Sequence, residues 1–203
     1  MQQSYTAAER GEMRLLRASA DHPLWPAVSA FIRTKYLEIY GARVGALPKT
    51  LVCLTDGATI HCAVGLRDRS EPYFSEQYLD GPVDHILASI AGRQVLRDEI
   101  VEVSSLVSNH PATCARFMRS VIAYGGELGF NWTFFTATAR LRSLLKRIGL
   151  PLIDLGPADR RRVPGHHEWG SYYETDPRVF AISRDDVGRF LTPSHKFDYA
   201  EAC

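Results

Sequence analysis

Glu99-Ile100-Val101-Glu102-Val103-Ser104-Ser105-Leu106-Val107-Ser108-Asn109-His110-Pro111 is the stretch on which the fold turns. Its β-branched residues favour a strand, which must stop by Pro111, where the backbone has no N–H to donate. Alternate side chains of a strand share a face, so Glu102 lies with Ile100, Ser104 and Leu106, and Val101, Val103, Ser105 and Val107 point the other way. A carboxylate on a mainly apolar face has two readings. It either pairs with an arginine or lysine, or lies at an exposed strand end; otherwise partial burial raises its pKa toward neutrality and makes it a proton acceptor.

After the strand, residues 112–128 place Phe117, Val121 and Leu128, with Cys114, Ile122 and Tyr124 nearby, on one face of an amphipathic helix. Pro111 belongs to its first turn, with Ser108 or Asn109 as the cap. The start of such a helix presents unpaired N–H groups suited to an anion, with Arg116 and Arg119 adding charge. Cys114, in those first turns, is either a packing residue or a thiol sensitised by the helix start. Gly125, Gly126 and Gly129 close the helix, residues 131–138 read as a buried strand, and Leu141, Leu144, Leu145 and Ile148 stripe a second helix ending at Gly149. Its Arg140, Arg142, Lys146 and Arg147 read as a solvated face.

Upstream, residues 1–24 read as a polar tail or a first strand around residues 13–17, and Val28, Phe31, Ile32, Tyr36 and Ile39 have helical spacing. Residues 50–55 and 58–66 flank Asp56-Gly57, which suits a two-residue type I′ hairpin; that register sets Cys53 opposite Ile60 rather than Cys62. A charged loop leads to an aromatic segment, Tyr73-Phe74 and Glu76-Gln77-Tyr78-Leu79, ahead of a helix at residues 83–91. Downstream, residues 156–167, with Arg160-Arg161-Arg162 and Pro164-Gly165-His166-His167, read as an exposed loop. The arginines either are solvated or meet a phosphate or an acidic partner. Trp169-Gly170-Ser171-Tyr172-Tyr173 precedes a last strand at residues 179–182, with Tyr172 and Tyr173 on opposite faces, and residues 184–203 form a polar tail with one possible helical turn.

Composition sets outer limits. The 203 residues, 45% hydrophobic, suffice for one domain with a substantial core. A net charge of +1, without a long basic patch, gives no case for nucleic acid or an anionic membrane as partner. No apolar run approaches the roughly 20 residues of a membrane span, and the first 25 residues lack a signal peptide's hydrophobic core, so a cytoplasmic location without stable membrane insertion is expected. Cys53, Cys62, Cys114 and Cys203 have neither disulfide nor metal spacing, and His166-His167 lacks a third ligand, so no metal is expected.

A resemblance adds to this. Glu76-Gln77-Tyr78-Leu79-Asp80, Ile100-Val101-Glu102-Val103, Phe135-Thr136-Ala137-Thr138, Leu141-Arg142, Arg147-Ile148-Gly149-Leu150 and Trp169-Gly170-Ser171-Tyr172-Tyr173 resemble segments of the thermostable hemolysin family, over about residues 25–182. The order of elements is also similar to acyl-homoserine-lactone synthases of the GNAT-like superfamily. There a Glu followed by Ser and Arg leads into the site; Glu102 and Ser104 fit, whereas Ser105 stands where the Arg would be. The synthases' paired N-terminal Asp residues have no clear counterpart, which argues against homoserine-lactone synthesis itself.

The resemblance implies an α/β fold: a GNAT-like mixed, mostly antiparallel central sheet with helices on both faces, in a domain spanning residues 25–183. It implies transfer of an acyl group from acyl-CoA, or from the phosphopantetheine of an acyl carrier protein, to a small-molecule amine or hydroxyl acceptor in metabolite or signal synthesis. Glu102 would take the acceptor's proton. Backbone N–H groups at Ser105, Leu106, Val107 and Ser108 would polarise the thioester carbonyl, and Asn109, Thr113 and Arg116 would receive phosphate. Tyr172 or Tyr173 would protonate the leaving sulfur. Ser104, Thr136 and Thr138 would face the substrate. Arg67, Glu76 and Gln77 would line the acceptor pocket, unless Arg67 pairs with Glu76. The alternatives are a ligand- or carrier-binding module without turnover, and a lytic protein as the family name suggests.

Overall fold

The computed structural model describes residues 12–188 and the backbone of residues 199–201. In chain order the elements are β1 (Arg14–Ala18), α1 (Trp25–Tyr40), β2 (Thr50–Thr55), β3 (Ile60–Arg67), α2 (Val83–Ala91), β4 (Ile100–Ser108), α3 (Pro111–Glu127), β5 (Trp132–Ala137), α4 (Ala139–Arg147), β6 (Ile153–Pro157), β7 (Arg178–Ser183) and β8 (Tyr199–Glu201). The strands form one sheet in the order β6-β7-β5-β4-β3-β2-β1-β8. Only β4 with β5 and β1 with β8 run parallel, so the sheet is mixed and mostly antiparallel.

Helices cover both faces because the central strands bury apolar side chains in two directions. On one face α3 and α4 bring Phe117, Met118, Val121 and Leu145 against Val52, Val64, Val101, Val103 and Phe135. On the other, α1 sets Val28 and Ile32 on Leu51, Cys53, Ala63 and Val107, and α2 sets Val83 and Leu87 on Ile100, Trp132 and Phe134. Local chemistry fixes the helix ends. At the C-terminus of α1, Gly41 sits in the left-handed region and donates its N–H to Leu37 O at 2.9 Å; at the start of α4, the Thr138 hydroxyl accepts from Leu141 N.

Four expectations change. The β2–β3 connection is a four-residue loop: Thr55 pairs with Ile60, Cys53 faces Ala63, and the Asp56 carboxylate accepts from Ala58 N and Thr59 N at 3.0 and 2.8 Å. That carboxylate closes the loop by an Asx turn, so the two-residue turn is not needed. The cap of α3 is His110, in extended conformation, while Ser108 Oγ bonds the backbone of His110. Residues 153–157 form an edge strand, and residues 166–175 fold as two 3-10 turns, His166–Trp169 and Tyr172–Thr175. Strand alternation therefore does not govern Tyr172 and Tyr173. The fourth change is a bulge in β4: Gly65 pairs with Ser104 and Ala63 with Val107, so Ser105 and Leu106 together oppose Val64. Ser105 takes φ 54°, and the faces switch there. Leu106 packs toward α3, and Val107 joins the α1 side, the reverse of simple alternation.

Candidate functional site

The parallel pairing of β4 with β5 is short. Ile100 meets Trp132, Val101 meets Thr133 and Glu102 meets Phe134, and there the register ends. Beyond it β4 stays paired with β3 as far as Ser108 and β5 with β7 as far as Ala137. The sheet splits between them, and a cavity of about 760 Å³ fills the split. Its walls include residues 103–108 on the β4 edge and Phe135, Thr136 and Thr138 on the β5 edge. On one side of the sheet it reaches Cys114, Met118, Leu141 and Leu144; on the other it reaches Tyr36, Tyr40, Phe74 and Trp169. Pro111 at the start of α3 and Arg140 at the start of α4 stand at its edge, so both helix starts meet it.

The predicted residues divide into those that meet the cavity and those that do not. Ser104, Ser105, Leu106, Val107, Ser108 and Asn109 line it, as do Arg67, Gln77, Thr136, Thr138 and Tyr172. Glu102, Glu76, Thr113, Arg116 and Tyr173 are not among its lining residues. Glu76 receives Arg97 at 2.8 Å and Val83 N at 2.8 Å, tying the aromatic segment to α2. Its expected alternative partner, Arg67, is on Glu102 and Ser104 instead. Register explains the exchange, since Arg67 stands directly opposite Glu102 across the β3–β4 pair.

Glu102 lies beneath the cavity and is 0% exposed. Its two oxygens accept from Phe74 N and Ser75 N, each at 2.7 Å, and Arg67 Nη1 stands 3.6 Å away while donating to Ser104 Oγ at 3.0 Å. Burial pushes the carboxyl above its usual range; Arg67, the Ser75 hydroxyl and the two N–H groups pull it back. The net direction is upward, toward a group that takes a proton readily. The same bonds pin the Phe74–Ser75 segment into the cavity wall, so both readings of Glu102 meet in one group: it pairs with an arginine, and it is a buried acceptor.

Tyr172 is packed into an aromatic wall. It makes edge contacts with Tyr40 at 5.3 Å and tilted contacts with Trp169 at 5.4 Å, and burial drives its phenol well above the ordinary value. Tyr173 instead bonds Tyr78, hydroxyl to hydroxyl, at 2.7 Å. The segment carrying them is docked on the end of α1: Ser171 N donates to Tyr40 O at 2.9 Å and Arg43 N to Glu168 O at 2.7 Å. Gly170 makes that approach possible, because a Cβ there would lie 2.0 Å from Tyr40 O. Burial raises the Cys114 thiol to about 11, which leaves it a packing residue rather than a sensitised one. Among the described residues no group of three or more His, Cys, Asp or Glu is placed to hold a metal ion.

Sequence reading missed Ser75, Phe74, Tyr40 and Arg140 as parts of the site. Only the aromatic run at residues 73–74 hinted at the first two. Nothing local announces that an N–H pair at Phe74 and Ser75 will meet a carboxylate 27 residues later.

Residues 18–187 match the thermostable hemolysin family. The chain belongs to that family. No curated protein matches it by sequence. Among solved structures, the acyl-homoserine-lactone synthase LasI is similar at TM-score 0.60 and 10% identity, covering 92% of this chain and 100% of LasI. A CoA-dependent acyl-homoserine-lactone synthase, BjaI, solved with SAM and isopentyl-CoA, is similar at TM-score 0.56 and 15% identity, covering 93% of this chain and 95% of its own. FeeM, an N-acyl amino acid synthase from uncultured soil microbes, is similar at TM-score 0.55 and 13% identity, covering 86% of this chain and 93% of its own. At such identities the likeness establishes the fold. This family member has the GNAT-like architecture of those synthases.

Proposed function

We propose that the chain transfers an acyl group from a CoA or carrier-protein thioester to a small amine or hydroxyl acceptor, as a step in making a metabolite or signal. The observation that carries the reading is the parting of β4 and β5 just after Glu102 and Phe134, which opens a cavity through the sheet between two helix starts. An extended pantetheine arm fits along the β4 edge that β5 has left, where those N–H groups of residues 105–108 that point away from β3 would meet the thioester carbonyl. Asn109 and Thr113, at the start of α3, with Arg116 beyond them, would take phosphate. The similar proteins agree with a thioester donor and an amine acceptor, since BjaI was solved with SAM and isopentyl-CoA and FeeM is an N-acyl amino acid synthase.

In the reaction the acceptor's lone pair attacks the carbonyl carbon, the C–S bond breaks, and one proton leaves the acceptor. Glu102 is the group we assign to receive that proton, its burial having raised its affinity for one. Tyr172 is better suited to packing the acceptor than to protonating sulfur, because a phenol raised so far above 10 is a weak acid. Arg67 and Ser104, held together at 3.0 Å, and Gln77 would offer polar groups to the acceptor, with Thr136 on β5 and Thr138 at the cap of α4 lining the cavity beside it.

One observation favours a second reading, a module that binds a thioester or carrier without turnover: Glu102 does not itself reach the cavity. Mixing the purified chain with acyl-CoAs or acyl-loaded carrier proteins and a panel of amines and alcohols separates the two. Thiol release with an acylated acceptor by mass spectrometry, lost in Glu102→Gln, supports transfer; binding without thiol release supports the module. The family name raises direct lysis as well. Among the described residues no helix is long and apolar enough to cross a membrane, and lysis of red cells by the purified chain at low concentration would speak for that reading.

A further inference from the structure

A carboxylate sealed under the cavity needs a route to it, and two hydroxyls supply one. Thr136 stands on β5 two residues past the last β4–β5 pair, on the cavity wall. Its Oγ1 donates to Ser75 Oγ at 2.9 Å, and Ser75 donates its backbone N–H to a Glu102 oxygen at 2.7 Å, which sets the Ser75 hydroxyl beside the carboxylate whose charged form it favours. Ser75 is 2% exposed, so the link is shielded from bulk water yet also touches the cavity. We propose that the Thr136 and Ser75 hydroxyls form a proton path of three transfers between a cavity-bound acceptor and Glu102.

The path rests on the acyl-transfer reading and completes it. As the acceptor nitrogen or oxygen bonds the carbonyl carbon, its proton moves to Thr136 Oγ1. The Thr136 proton moves to Ser75 Oγ, and the Ser75 proton moves to a Glu102 oxygen. The net change is one proton from acceptor to carboxylate, with both hydroxyls restored and the electron pair of the C–S bond leaving on sulfur. Reversal then returns the proton to the thiolate or to water. The arrangement also accounts for the clamp on Glu102: N–H groups of Phe74 and Ser75 fix the carboxylate, which fixes the backbone that carries the Ser75 hydroxyl. The charged or titratable groups that act on Glu102 are Arg67 from β3 and Tyr73 and Tyr78 from the segment before α2; β5 offers the apolar Phe134 opposite it.

Thr136→Val tests the path, since it keeps the β-branched shape of a strand residue and removes only the hydroxyl. The readouts are acyl-CoA turnover across pH, the solvent deuterium effect and the melting temperature, with Thr136→Ser as the conservative control. In wild type, kcat should rise as Glu102 ionises, giving an acid limb above the ordinary carboxylate range. Thr136→Val should lower kcat by about 10- to 100-fold, within the usual span for proton-transfer groups. It should also lose that acid limb and the deuterium effect, with KM for acyl-CoA unchanged and the melting temperature lowered by only about 1–6 °C, the share of one neutral hydrogen bond. Thr136→Ser should restore all three kinetic features. A Thr136→Val enzyme with wild-type kcat, or with lowered kcat but an intact acid limb, overturns the path while leaving acyl transfer standing. A folded wild-type chain that turns over no thioester with any acceptor removes the transfer reading, and the path with it.

Discussion

Replacing Glu102 with Gln should cost stability as well as activity, and the amount follows from its surroundings. Glutamine retains one acceptor oxygen and presents an NH₂ where the second carboxylate oxygen stood, so either Phe74 N or Ser75 N loses its 2.7 Å partner and faces another donor. Losing one charge-assisted bond costs about 1.5–3 kcal/mol. Arg67, 9% exposed, also loses the carboxylate 3.6 Å away. Breaking a buried pair costs about 3–5 kcal/mol, and the wild type's own cost of burying a charge, which Gln avoids, offsets much of it. A net loss of about 3 kcal/mol lowers the melting temperature by about 6–12 °C in a chain of this size. The pH dependence has a definite sign. Burial raises the folded carboxyl's pKa above its unfolded value, so wild-type stability from this group is fully present below the unfolded pKa and declines as pH rises through the folded one. Gln does not titrate, so the gap between the two proteins should narrow from acid toward neutral pH. Thermal unfolding followed by circular dichroism between pH 4 and 8 reads both. A drop under about 2 °C, or a gap that widens with pH, would refute the assignment of Glu102 as a buried clamp with raised pKa.

Other positions make independent tests. Ser105 holds φ 54°, a region costly to non-glycine residues, so Ser105→Gly should be neutral or stabilising by up to about 1 kcal/mol, while Ser105→Val should destabilise by about 1–3 kcal/mol in urea denaturation. Gly170→Ala should lower the melting temperature and loosen the docking of residues 166–175, seen as faster amide exchange at Ser171, because its Cβ would overlap Tyr40 O; unchanged exchange would contradict that contact. Gly65→Ala, whose Cβ would meet Pro48 Cγ at 2.4 Å, should cost about 1–3 kcal/mol in the same denaturation assay, and an unaffected midpoint would show that Pro48 yields.

Periodicity carried most of the individual elements, and the family resemblance carried their arrangement into a GNAT-like sheet. The apolar spacing of α1 through α4 and the β-branched runs of β2 to β5 are local signals, and the misplaced carboxylate at Glu102 marked the site because a mid-strand charge needs a partner. What stayed hidden is non-local or cancelled by context. Ser-Ser at residues 104–105 has no glycine or asparagine to announce a left-handed residue, yet the bulge there exchanges the faces of Leu106 and Val107 and turns the strand edge toward the cavity. Ser75 enters the site only because Glu102 reaches across from another element. β6 escaped notice as Ile153-Asp154-Leu155-Gly156-Pro157, too short and too rich in turn formers, and it survives at the edge of the sheet where Pro157 is tolerated. Tyr172 and Tyr173 read as alternating strand residues until the turns on either side of Gly170 set both in one aromatic cluster.

A crystal structure of the chain with a non-hydrolysable acyl-CoA thioether would show where the donor lies. The pantetheine arm should lie between β4 and β5, with the acyl carbon beside residues 105–108 within reach of Thr136, and phosphate at the start of α3. A thioether bound elsewhere, with the β4–β5 split closed or empty at saturating ligand, would contradict that placement.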